Sequence, residues 1–246
     1  MNIIISPAKK MKVSSDDFLI KDMPCFIDKT KILLKELSRK SYDELKLLLC
    51  CNDKIASLNY DRYKNMDLMH NLTPALFSYE GIQYKYMSPN SMSNDELDYV
   101  QKHLNILSAF YGILTPFDGV VPYRLEMMAK FKTPFCDNLY DFWKDDLYKE
   151  LIKKNRVFIN LASKEYSKCV EKYLSSEDTF INIIFGSLVD GKIKTKATEA
   201  KMARGRMVRF MAENNIENIQ DIKRFSDLGF SFSENNSDNN NLVFLK

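Results

Sequence analysis

The sequence predicts an α/β protein of mixed order: an irregular mixed sheet surrounded by helices. Three observations carry this. Short apolar runs without polar alternation, such as Asn2–Ile5, Val157–Leu161 and residues 180–185, read as buried strands. Apolar residues at helical spacing follow capping signals at Ser41 and Ser93. The two kinds of element alternate without a regular βαβ rhythm, which favours an irregular α+β arrangement over a doubly wound fold.

In chain order, Asn2–Ile5 is a strand closed by Ser6-Pro7, with Lys9, Lys10 and Lys12 in the loop beyond. Residues 29–37 carry helical spacing at Ile32, Leu33 and Leu37. Ser41 with Glu44 is a capping-box pattern, and the chain breaks near Asn52-Asp53 before a second apolar stretch. Residues 41–66 therefore predict two helical pieces around a tight turn. Thr73-Pro74 has the form of an N-cap with Pro at the first helical position. The Tyr-rich residues 78–87 read as a strand. Ser93 with Glu96 opens a helix whose apolar positions Leu97, Val100, Leu104, Leu107 and Tyr111 extend to Gly112.

Pro116, Pro122 and Pro134 mark an irregular stretch. A helix is expected over 138–154, a strand over 192–198 and a helix over 200–214. Phe230–Phe232 and residues 242–245 predict a hairpin around the Asn/Ser-rich, mobile loop 233–241. With 246 residues, 45% hydrophobic, and only 7 Gly and 7 Pro, the chain suits a single compact domain over 1–246.

Composition narrows the function. No apolar run nears the ~20 residues of a membrane helix, and no signal-peptide pattern follows Met1, so the chain is expected in the cytoplasm without a membrane partner. Five unevenly spaced cysteines do not form a disulfide framework. Two histidines and no Cys-x-x-Cys argue against a zinc site, and no metal ligand set or cofactor is proposed. Walker, dinucleotide-binding and serine-hydrolase motifs are missing. Nothing in the sequence fixes an oligomeric state.

Charge distribution says more than the net charge of +3. Residues 192–209 hold seven basic residues, Lys192, Lys194, Lys196, Lys201, Arg204, Arg206 and Arg209, against one acid, Glu199. That local +6 leaves −3 for the rest of the chain. A concentrated cationic segment suits phosphate contact, although a solvated charged face has the same composition. Lys201 and Arg204 lie i, i+3 and share a helix face.

Other candidates follow apolar elements: Ser6 and Lys9, then Tyr123, Arg124 and Glu126, then Asn160, Ser163, Glu165 and Tyr166. Strand ends are where loops converge over a rigid sheet. Taken singly, each has an ordinary explanation as a turn former, a surface residue or a backbone partner. Taken together, an Arg fork suits phosphate, and Tyr suits a base. Lys9 with Glu126 or Glu165 suits nucleophilic or acid–base chemistry. Two classes result: DNA binding in a cleft, and an enzyme acting on a nucleobase, nucleotide or damaged strand.

Several motifs then occur in one order: Ile5-Ser6-Pro7-Ala8-Lys9, Leu107-Ser108-x-x-Tyr111-Gly112 with Pro116-x-Asp118, and Tyr123-Arg124-Leu125-Glu126-Met127. They continue with Leu139-Tyr140-x-Phe142-Trp143, Asn160-Leu161-Ala162-Ser163-x-Glu165-Tyr166 and Ala203-Arg204-Gly205-x-Met207-x-Arg209. Through them the chain resembles the YaaA family of bacterial peroxide-stress proteins over nearly its full length. The resemblance implies a cytosolic protein made under hydrogen peroxide stress that limits damage to DNA and protein and is linked to lower free iron. That link motivates direct Fe(II) binding as a third reading, weakened by the scarcity of His and Cys. It also implies an unusual α/β fold with a positively charged cleft, a helix–hairpin–helix element and DNA binding, with no settled reaction. This chain departs from the family pattern at four places. Ser57 stands where the hairpin would carry Gly, Thr115 where relatives often carry Arg, Ile82 where an acid is usual, and Phe230 in place of Tyr.

Overall fold

The computed structural model describes residues 1–13 and 19–246. Its centre is a nine-stranded mixed sheet. The strands are β1 (Asn2–Ile5), β2 (Leu104–Ser108), β3 (Gly112–Leu114), β4 (Val157–Leu161), β5 (Thr179–Val189), β6 (Lys192–Lys194), β7 (Ser226–Asp227), β8 (Phe230–Phe232) and β9 (Asn241–Leu245). Their spatial order is β7-β8-β9-β5-β4-β1-β2-β3, with β6 paired to β5. The five central strands, β9-β5-β4-β1-β2, run parallel, and the edge pairings are antiparallel. Parallel strands are covered on both faces, so β1 and β2 are buried at every residue.

The helices that matter for the site are α1 (Ile27–Arg39), α2 (Tyr42–Leu49), α3 (Asp53–Asn65), α4 (Ile82–Met87), α5 (Asn94–His103), α6 (Leu139–Trp143), α7 (Asp146–Ile152), α8 (Lys164–Glu171) and α9 (Ala197–Glu213). Both capping boxes form: Ser41 opens α2 and Ser93 opens α5. One connected hydrophobic cluster joins the sheet to the helices, with Trp143, Tyr63, Tyr111 and Phe110 among its largest fully buried side chains.

Several elements differ from the sequence expectation. The helix from Ser93 stops at His103, and the apolar positions Leu104 and Leu107 belong to β2. A strand buried on both faces is apolar throughout, so it continues a helical apolar pattern without a visible break. The helix expected over 138–154 is two helices, α6 and α7, separated at Lys144, whose φ is +47°. Only Tyr79–Glu80 of the Tyr-rich segment is extended, paired with Lys10–Met11, and α4 follows at once. Thr73–Pro74 is a two-residue strand against Gly119–Val120 before the helical turn Ala75–Ser78. The strand expected over 192–198 is confined to Lys192–Lys194.

The hairpin expected around Ser57 is not there. Ser57 lies inside α3, where a helical amide is committed to the carbonyl four residues earlier. The turn between α2 and α3 falls at residues 50–52, made by Cys50 in the left-handed region and Asn52 capping α3. The hairpin of β8 and β9 is present. Its connecting loop is internally bonded, with Ser237 Oγ accepting from Val243 N and Asp238 accepting from Asn241 Nδ2.

Candidate functional site

Three strand-end segments meet beyond the C-terminal ends of β1 and β4. The turn after β1 brings Ser6, whose Oγ accepts from Ser163 N at 2.8 Å and lies 3.2 Å from Ser163 Oγ. Ser163 is the N-cap of α8, so this pair ties the β1 loop to the end of β4. Tyr84 of α4 fixes the same loop from the other side, donating to Ser6 O at 3.0 Å. Gly81 lets the loop come this close: a Cβ there would sit 2.9 Å from Ala8 Cβ.

The segment 123–126 forms another wall. Tyr63 donates to Arg124 O at 2.6 Å. Tyr123 lies beneath, its hydroxyl 2.6 Å from Ser108 Oγ and 2.9 Å from Tyr79 OH. Burial pushes the Tyr123 phenol up to about 12 and the Tyr166 phenol well above its ordinary value, so both stay neutral. Glu126 Oε1 accepts from Lys9 Nζ at 2.9 Å and from Arg124 NH2 at 3.1 Å. Glu165 Oε1 accepts from Met128 N at 3.2 Å.

Helix α9 closes the site with Lys201 and Arg204. Its contact with α4 runs through Gly205, where a Cβ would lie 2.2 Å from Gln83 O. Only glycine allows this backbone-to-backbone approach, which sets Arg204 beside Gln83.

These walls enclose a cavity of about 370 Å³. Ser6, Lys9, Tyr123, Arg124, Glu126, Ser163, Glu165, Tyr166, Lys201 and Arg204, all expected from the sequence, line it together. Lysine and arginine outnumber carboxylates five to three, counting Lys10 and Glu80 as well. Sequence reasoning missed Gln83, Glu80 and Lys10. A visible signal for Gln83 was Gly205, because a glycine inside a helix commonly marks a close approach.

Three expected residues lie elsewhere. Ser57 is exposed on α3. Asn160 fastens the sheet, with Nδ2 donating to Asn182 Oδ1 and Oδ1 accepting from Ala162 N. Arg209 is held by Glu96 at 3.2 Å, by Glu213 at 2.6 Å and by the Ser88 and Ser91 carbonyls.

Arg204 differs from its neighbour. Among the described residues it has no ion-pair or hydrogen-bond partner, its Nε is enclosed, and burial alone lowers its pKa. Four buried side-chain polar atoms lack partners among the described residues. Three line this cavity, Gln83 Nε2, Arg124 Nε and Arg204 Nε, and all three are donors. The site is thus chemically asked for an acceptor-rich anion. Among the described residues, no cluster of three or more His, Cys, Asp or Glu is placed to hold a metal ion, and no helix is long and apolar enough to cross a membrane.

The family described as peroxide stress protein YaaA matches residues 1–236. A UPF0246 protein of Desulfitobacterium hafniense is 54% identical over 246 residues, covering 100% of this chain and 98% of the relative. Another, from Agathobacter rectalis, is 53% identical over 244 residues, covering 99% and 98%. A third, from Lactiplantibacillus plantarum, is 49% identical over 245 residues, covering 100% and 99%. The chain therefore belongs to the peroxide stress protein YaaA family.

Proposed function

We propose that this cytoplasmic peroxide stress protein binds DNA and takes one phosphate-bearing nucleotide of it into the cavity beside Arg204. The observation that carries this reading is the half-buried Arg204 side chain, unpartnered among the described residues and with its Nε enclosed. A buried cation without an acid costs stability, and a phosphate supplies the missing charge and acceptors. Lys201, one helical turn away, and Arg124 complete a cationic cradle. A cavity of about 370 Å³ suits one nucleotide rather than a duplex. Bound in this way, the protein shields DNA during peroxide stress, and any effect on free iron is indirect.

The test is fluorescence anisotropy with a labelled duplex carrying a central single-nucleotide bulge, titrated with salt. Arg204→Met keeps a flexible unbranched stem and removes the guanidinium with its charge. Its affinity is expected to fall tenfold or more, with the log–log salt slope reduced by about 0.9 for one phosphate no longer neutralised. A variant that matches the parent in both affinity and slope refutes the reading.

A second reading, chemistry on a damaged strand, is favoured by Lys9, Glu126 and Glu165 lining the same cavity. Both glutamates are already engaged as acceptors, Glu126 by two cations, which suits positioning more than acid–base work. Should Lys9 act as a nucleophile, its amine passes a proton to Glu126 and adds to the aldehyde of an abasic site. Water leaves and an imine remains. Borohydride then traps a protein–DNA adduct that Lys9→Ala cannot form; no adduct with the parent protein removes this reading.

A further inference from the structure

The antiparallel ribbon made by the end of β5 and by β6 projects beyond the parallel part of the sheet. Strand β5 pairs with β4 as far as Asn182 and with β9 as far as Gly186, yet continues to Val189. Seven residues beyond Asn182, at ~3.3 Å each, carry it roughly 23 Å past its last pair with β4. Because β4 and β5 are parallel, the ribbon leaves the sheet at the edge where β4 delivers Ser163 to the cavity. Its far end leads directly into α9, which brings Lys201 and Arg204.

The ribbon is built as a hairpin. Asp190 and Gly191 both have positive φ, 51° and 70°, the geometry of a tight two-residue turn matched to strand twist. At its base, Gly186 lets Ile193 fold closely over it: a Cβ there would lie 2.7 Å from Ile193 Cγ2. The register puts Leu188 opposite Ile193 on one face, and Ser187 and Val189 opposite Lys194 and Lys192 on the other. Residues 188–198 are all exposed.

Three lysines, Lys192, Lys194 and Lys196, concentrate here. Their acidic neighbours are weakly placed: Asp190 is 3.9 Å from Lys194, and Glu199 is 3.4 Å from Lys196 and also pairs with Lys246. Exposed pairs of this kind contribute little and exchange readily for phosphate. A preformed, cationic, solvent-facing ribbon beside an anion-seeking cavity matches the backbone of a duplex extending from the captured nucleotide.

Resting on the DNA-binding reading, we propose that the β5–β6 ribbon is the duplex-gripping arm of the site, with Lys192, Lys194 and Lys196 on phosphates flanking the nucleotide beside Arg204. The test uses the full chain with Lys192, Lys194 and Lys196 all changed to alanine. These are surface positions, and circular dichroism verifies the fold. Anisotropy titrations with the same bulged duplex are run from about 50 to 200 mM salt, a span wide enough to read a counterion-release slope. The salt slope is expected to drop by about 2.7, roughly 0.9 for each phosphate that the lysines no longer neutralise. Affinity at the low-salt end should fall by more than tenfold. If the parent binds and the triple variant keeps its slope and affinity, the arm is wrong while the cavity reading stands. If the parent does not bind DNA at all, the DNA reading fails and takes the arm with it.

Discussion

Arg204 and Arg209 sit five residues apart on one helix and look alike in the sequence, yet their surroundings are opposite. Arg209 occupies a finished socket: Glu96, Glu213 and the Ser88 and Ser91 carbonyls use its guanidinium and tie α9 to the N-terminus of α5. Arg204 occupies an unfinished one, enclosed but unpartnered among the described residues. A basic residue in a cationic segment is therefore no guide to binding until its partners are known. What sets Arg204 apart is the acceptor that its surroundings leave out, and the proposed reading rests on that difference.

The largest effect expected from this contrast is on Arg209. Arg209→Ala strands the Glu96 carboxylate at a mostly buried corner, since the Arg209 and Glu96 side chains are only 13% and 17% exposed. Breaking such a pair from one side costs about 3–5 kcal/mol. Urea unfolding should show that loss, while the folded fraction still binds DNA. Parent-like stability would break the contrast from the Arg209 side.

The segments that form the site are legible in the sequence because its polar residues follow apolar runs, as at Ser6, Arg124 and Ser163. Their roles are not, because role depends on distance. Asn160 has the same strand-end signature as Ser163, but its amide closes on Asn182 and leaves nothing for a ligand. Ser57 misleads for a different reason. The turn it is expected to form is made by Cys50 in a left-handed conformation, which no glycine announces. The apolar pattern extends helix α5 too far because β2 is buried on both faces and carries no polar interruption.

Asp118 is a buried carboxyl with no ion pair among the described residues, and so tests the cost of enclosure on an acid. Asp118 is 5% exposed, and burial pushes its carboxyl up to about 6, against hydrogen bonds from Thr115 and the nearby Lys154, with Asp22 adding to the rise. Unlike Arg204, it can shed its charge. The folded state holds this proton more tightly than the unfolded chain, so its stabilising share is complete below about pH 4. That share is lost as pH rises through about 6, for a total of about 3 kcal/mol. Asp118→Asn should flatten that part of the stability–pH curve. An unchanged curve would show that enclosure here carries no charge penalty.

Gly205→Ala addresses how Arg204 is placed. Alanine favours a helix over glycine by about 1 kcal/mol, but the added Cβ would meet Gln83 O at 2.2 Å and Met87 N at 2.9 Å. Backbone cannot step aside as a side chain does, so overpacking of about 1–3 kcal/mol should win. Thermal unfolding should show a net loss, and separating α4 from α9 should weaken DNA binding as well. A variant as stable as the parent and equally able to bind would mean that the close approach does not position Arg204.

The smallest and most diagnostic change is in the stability of Arg204→Met. If Arg204 were structural like Arg209, removing its charge would destabilise the fold. A guanidinium with its Nε enclosed and no partner instead pays desolvation for no return, and the shorter, flexible methionine fills the inner part of that space without the penalty. The variant should therefore be as stable as the parent or gain about 1 kcal/mol in urea unfolding, while losing DNA affinity. The opposite signs on stability and binding are the signature, because a residue that merely supports the fold lowers both together. Loss of stability at Arg204 comparable to that at Arg209 would erase the distinction between the two sockets.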